Sequence, residues 1–148
     1  MNVLRALAGG FVGAGALTLI HESARRKIPN APRADVLGMR AIDKVMRKGD
    51  FLPPPDDRLH RWALAGDLVG NSLYYGLVGI GSPRGAWLRG GLLGLGAGLG
   101  AVALPGPLGL GKGPSGRTNA TKAMTIAWYL AGGLVAAAVA SWLGRRQG

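Results

Sequence analysis

Three stretches of this chain, residues 3–20, 86–104 and 123–143, stay apolar for about the length of a bilayer crossing. A hydrocarbon core about 30 Å thick needs roughly 20 mostly apolar residues in a helix that rises about 1.5 Å per residue. In lipid, every backbone N–H and C=O must bond within the chain, which leaves helices or a closed barrel. These runs are too long and too uniform for strands, so helices are predicted. A fourth stretch, 58–81, has the same length but carries Asp67 and Asn71 inside its apolar run. An ionisable residue at that depth costs about 2.5–3.5 kcal/mol on insertion scales, so it should face the bundle interior and mark a functional position. The expected fold is an all-α integral membrane protein. Its four transmembrane helices, approximately 3–24, 58–81, 86–104 and 119–143, form a single domain over 1–148.

At 148 residues the chain suits one compact unit and is too short for two ordinary domains. Its formal charge is +11, from 18 Lys and Arg against 7 Asp and Glu. In a soluble protein that imbalance would suggest nucleic acid. Here most of the excess lies between apolar runs, where it orients the chain and meets anionic phospholipids; no nucleic-acid partner is expected. The connection over 21–61 holds ten basic residues, and the third connection adds Lys112, Arg117 and Lys122. The opposite side has Arg5, Arg84, Arg89, Arg145 and Arg146. The positive-inside rule then makes the long basic connection cytoplasmic and puts both termini across the membrane, periplasmic if it is a bacterial inner membrane. A cleaved signal peptide is the rival reading of the first run. It is disfavoured because Glu22 occupies the minus-three position before Ala24, where a small residue is wanted. The absence of Cys excludes disulfides, thiolate metal sites and cysteine nucleophiles.

Within the long connection, Asp35 is predicted to cap an amphipathic helix over 36–48 that Gly49 ends. Leu37, Met39, Ala41, Ile42, Val45 and Met46 share one broad face, and Arg33, Arg40, Asp43, Lys44 and Arg47 the other. Such a helix lies in the membrane interface or packs on the bundle's end. Pro53, Pro54 and Pro55 make a stiff spacer, after which Asp56 or Asp57 should cap the next helix. Gly9 and Gly13, Gly10 and Ala14, and the series Gly90, Gly94 and Gly98 are small-xxx-small spacings that let helices approach, within the chain or in a homo-oligomer.

Residues 106–113 and 111–118 both come close to a phosphate-binding loop, but each lacks a required residue, and neither follows a strand. Pro114, Ser115 and Gly116 are similar to one block of membrane phosphatases of the phosphatidic-acid type. Arg117 stands where that block has His, and no second block is present, so the resemblance implies no activity.

The remaining signal is a constellation. At about 100° per residue, His60, Asp67, Asn71 and Tyr74 fall near one line. Thr18, His21, Glu22 and Arg25 share a face of the first helix, and Thr118, Thr121, Lys122 and Thr125 one of the fourth, all at the cytoplasmic ends. If the stripes converge, they make a polar pocket open to the cytoplasm. Asp67, Asn71, His21, Glu22, His60 and Lys122 are then the candidate ligand- or ion-binding residues. Four uses stay open. Asp67 with Arg25, Arg26 or Lys122 would be a structural ion pair. Asp67 alone would be a proton or cation site. Arg25, Arg26, Arg40, Lys44 and Arg47 would hold a lipid phosphate. His21, Glu22, His60 and Asp67 have the chemistry for zinc or iron but no known spacing, so no metal and no cofactor is expected. No catalytic residue is assigned, because His21 and Glu22 are adjacent on a helix and point about 100° apart. The expected protein is a small non-catalytic accessory or lipid-facing bundle. The alternatives are a transporter or channel subunit with its site at Asp67, and a membrane enzyme acting on lipid head groups.

Overall fold

The computed structural model describes residues 3–145, so Arg146 lies outside the described residues. Regular structure there is helical throughout: α1 (Val3–Ala24), α2 (Ala34–Lys48), α3 (Asp56–Gly76), α4 (Ala86–Ala103), a single turn α5 (Gly113–Gly116) and α6 (Asn119–Arg145). Three segments are long and apolar enough to cross a membrane: α1, α4 with the turn before it, and α6. The make-up is that of a membrane protein. Asp56, Asp57, Arg58, Arg61 and Asp67 dilute the hydropathy of α3, which is not among the three.

The long helices are antiparallel neighbours, with α6 packed along both α1 and α4, and α3 on α1. Small residues set the approach. A Cβ on Gly90 would lie 2.4 Å from the Gly133 carbonyl oxygen, one on Gly98 2.7 Å from Ile126 Cα, and one on Gly13 2.6 Å from the Gly132 carbonyl oxygen. A Cβ on Gly10 would fall 2.1 Å from the Ser72 carbonyl oxygen of α3. The Gly spacings at Gly10, Gly13, Gly90, Gly94 and Gly98 are therefore used within the chain. Around the junction Ala14, Leu17, Tyr75, Val78, Ala86, Ala136 and Ala137 form the buried core. Large apolar residues such as Phe11, Leu19, Val69, Leu73, Leu92 and Trp142 point outward instead. Small residues inside and large ones outside suit helices whose association is driven by packing rather than by escape from water.

Two local expectations are corrected. Arg33, not Asp35, is the residue before α2, and Asp35 sits buried in the first turn. Pro55 precedes α3, and Asp56 and Asp57 lie inside its first turn, where carboxylates complement the helix dipole. Gly49 does follow α2, yet the left-handed residue is Asp50, with φ 59°, a conformation Asp tolerates better than most. At its far end α3 tightens into a 3₁₀ turn, Leu77–Gly79. There Arg89 donates to the Val78 and Ser82 carbonyls at 2.9 and 2.8 Å, satisfying acceptors a helix end leaves open.

The α2 helix packs on the polar end of the bundle, with Gly38 against Ala63 of α3. The stretch between α4 and α5 turns through left-handed Gly109 and Gly111. It follows a helix rather than a strand, the opposite of what a nucleotide loop requires.

Candidate polar chamber and basic groove

Helical periodicity puts Thr18, His21, Glu22 and Arg25 on one side of the last turns of α1. They line a mostly closed cavity of about 10 Å³ together with Asp35 of α2 and Asp67 of α3. That is room for about one water molecule. His21 is 7% exposed, and its ring stands edge-on to Trp128 and Tyr129 of α6, with centroids 5.2 and 5.8 Å away. Among the described residues, neither ring nitrogen nor Thr18 Oγ1 has a hydrogen-bond partner. Each such buried group costs about 1–3 kcal/mol, so three of them near one void set this corner apart from ordinary packing.

Asp67 accepts a hydrogen bond from Asn71 Nδ2 at 2.9 Å. Its expected ion pair does not form among the described residues. Arg25 is taken by Glu22 at 2.7 Å, Arg26 is exposed, and Lys122 is exposed at the start of α6. The charge clasp lies at Asp35 instead. Arg33 Nε and Nη2 donate to its two oxygens at 2.9 and 2.7 Å, and His60 Nδ1 lies 3.6 Å from Oδ2. Burial opposes the charge on Asp35. The Arg33 guanidinium outweighs it, helped by the Val36 backbone N–H and the Arg25 charge, and holds the carboxyl below the usual aspartate value. The signal for this pair was the Arg33-Ala34-Asp35 spacing at a helix start, which a capping reading hides.

The three stripes thus converge in part. Thr18, His21, Glu22, Arg25 and Asp67 meet at the chamber, with Asn71 behind Asp67. His60 stands outside it, lining an open groove of about 520 Å³ with Arg25, Arg33, Asp35, Asp56 and Asp57. Tyr74 donates to the Leu93 carbonyl at 3.0 Å. The threonines of α6 are occupied with loops: Thr121 Oγ1 donates to Asn30 O at 2.9 Å, and Thr125 Oγ1 contacts Ser115 O and Thr121 O at 2.9 and 2.8 Å. Lys122 is not at the chamber. Asp67 also borders a crevice of about 320 Å³ beneath the apolar side of α2, formed by Leu37, Ala41, Ile42, Leu110 and Tyr129 among others.

On the loop side, α2 and the first turn of α3 border an open groove of about 700 Å³. Val36, Met39 and Leu59 line it as apolar surface. Arg40, Lys44, Arg47 and Lys48 supply its cations, against the acids Asp43 and Asp56. Arg40 Nη1 donates to the Leu110 carbonyl at 2.7 Å and Lys44 Nζ to that of Leu108, so both staple the loop to α2. Arg47 holds Asp43 at 3.0 Å on the surface, and Lys48 is exposed beside it. Of the other phosphate candidates, Arg25 lines the neighbouring groove and Arg26 is exposed.

Among the described residues no group of three His, Asp or Glu side chains is placed to hold a metal ion. No protein-family model, curated protein or solved structure matches the chain.

Proposed function

We propose that the chain is a non-catalytic integral membrane protein of four antiparallel spans whose loop side binds an anionic phospholipid head group. The fourth span is α3. It lies antiparallel on α1, Gly10 of α1 meeting Ser72 and Gly79 meeting Ala6, so the two cover the same depth. Val69, Leu73, Leu77 and Ile80 face outward along it, while Asp67 is turned inward. In this arrangement the loops at 25–55 and 104–118 share one face with α2 lying across it as an interfacial helix, and positive-inside bias makes that face cytoplasmic.

The observation that carries the lipid reading is the 700 Å³ groove, which combines apolar lining with four cations on that face. An apolar floor suits the upper acyl chain and a cationic rim the phosphate. A non-catalytic role is supported by the state of the adjacent His21 and Glu22: Glu22 is held by Arg25 while His21 lies against Trp128. Native mass spectrometry of the detergent-solubilised protein with added phosphatidylglycerol or phosphatidylcholine tests the reading. The wild type should retain phosphatidylglycerol preferentially, and Arg47→Ala/Lys48→Ala, which spares the two loop staples, should lose that preference severalfold. Equal retention of the two lipids, or an unaltered preference in the variant, rejects it.

A further inference from the structure

We infer that the chamber between α1, α2 and α3 is a proton-binding site, in which one water-sized carrier links the Asp67 carboxylate to a ring nitrogen of His21. Three observations converge on it. The cavity is mostly closed off and has room for a single small polar species. His21 and the half-buried Thr18 line it, and both ring nitrogens and Thr18 Oγ1 are buried with no hydrogen-bond partner among the described residues. The charges around it leave one carboxylate uncompensated: Glu22 is paired with Arg25 and Asp35 with Arg33, while Asp67 has only the Asn71 amide among the described residues.

The site has the parts a shared proton needs. A carboxylate oxygen and an imidazole nitrogen both accept a proton, and a hydroxyl at Thr18 gives or accepts a hydrogen bond as the proton moves. The groups facing His21 are Glu22 and Arg25 from its own helix, Asp35 from α2 with Arg33 and His60 attached to it, and Asp67 from α3; α6 contributes the rings of Trp128 and Tyr129. Entry is from the loop side. Arg25 and Asp35 are walls common to the chamber and the 520 Å³ groove, and Asp67 is a wall common to the chamber and the crevice under α2. A proton arriving from water adds to the Asp67–His21 pair and leaves by the same walls.

The chain has two histidines, so nitrogen-15 NMR of the histidine-labelled full-length protein in nanodiscs shows two imidazoles, which His60→Gln assigns. His21 should change protonation state as the pH is lowered from about 8 to about 3, a range that includes buried histidines. In Asp67→Asn the midpoint should move by about one pH unit or more, as for groups that titrate as a pair. Thr18→Val, which removes the third polar group and leaves both titrating ones, should move it less. A His21 ring that keeps one state throughout, or a midpoint unmoved by Asp67→Asn, overturns the inference. The basic groove plays no part in it, so a failure of lipid binding there leaves this result standing, and the reverse.

Discussion

Gly90 and Gly91 are neighbours in the same helix, and replacing each by Ala separates packing from every other effect of the substitution. Helix propensity gains equally at both, by about 1 kcal/mol in a water-exposed helix and less where lipid already enforces the helix. At Gly91 the new methyl meets nothing within 4 Å. At Gly90 it would lie 2.4 Å from the Gly133 carbonyl oxygen and 2.7 Å from Ala137 Cβ. Ordinary contact begins at 3.4 Å, so the α4 and α6 axes must part locally by about 1 Å. Backbone on α6 cannot swing aside as a long side chain would. Parting them also loosens Gly94 against Leu130 and Gly98 against Ile126, both under 3 Å from where a Cβ would stand. Overpacking of this kind costs about 1–3 kcal/mol. Reversible unfolding in mixed micelles, followed by circular dichroism, should place Gly90→Ala lower in stability than Gly91→Ala by about that amount, with both monomeric by light scattering. Equal stabilities would mean that α4 and α6 do not meet at this face. A shift in oligomeric state without a change in monomer stability would return the Gly series to an interface between copies.

Asp35→Asn should destabilise the protein at neutral pH by about 1–3 kcal/mol, since it removes a buried acceptor of a two-bond Arg33 contact. Because the folded carboxyl is held below its usual value, that contribution is complete above the ordinary aspartate pKa and is lost as pH falls through the depressed one; the variant's stability, measured by thermal melts, should fall less steeply on acidification. Tyr75→Phe removes the buried hydroxyl that donates to the Tyr129 carbonyl at 2.6 Å, and should cost about 1 kcal/mol in the same unfolding assay. Thr121→Val frees the Asn30 carbonyl from α6, and limited proteolysis should then cut the 25–33 segment faster at unchanged helix content. No change in cleavage would show that the segment is held elsewhere.

Much of the helical layout was legible because the lipid requirement acts on length and apolarity, which are properties of a run of residues. The segments 3–24, 86–104 and 119–143 needed no knowledge of their neighbours. The polar partners were less legible. An ion pair depends on which helix crosses which, and sequence periodicity fixes a side chain's face but not what lies opposite. So Asp67, the conspicuous charge, has no cation across from it among the described residues, while Asp35, hidden in an ordinary helix-start pattern, closes on Arg33 and His60. For the same reason the threonines of α6 look like a pocket wall in a helical projection and serve as loop anchors in three dimensions. The face shared by Thr18, His21, Glu22 and Arg25 could be read directly, since three lie on one helix and Arg25 continues its bonding pattern one residue beyond.

The placement of the polar groups along the bundle limits what the chamber can do. Moving along α1 from His21 and Thr18 toward the N-terminus, the next inward residues are Leu17 and Ala14, at 1% and 0% exposure. After Asp67 and Asn71 the chain passes along α3 to Tyr75 and into the 3₁₀ turn at Val78, both at 0%, and Ala136 of α6 closes the same level. Tyr75 carries the polar atom at that level on α3, and its hydroxyl is committed to the Tyr129 carbonyl. A proton at Asp67 therefore meets a tight apolar layer on the terminal side and shares walls with open grooves only on the loop side. Within one chain that is a site open on one side only, suited to holding a charge and reporting on loop-side pH rather than to passing it across. Liposomes containing the wild type should accordingly show no more proton flux than empty ones under an imposed gradient, even while His21 titrates. Flux that exceeds the empty control and disappears in Asp67→Asn would require a route through the layer formed by Leu17, Tyr75 and Val78, and with it a second copy or a second packing of these helices.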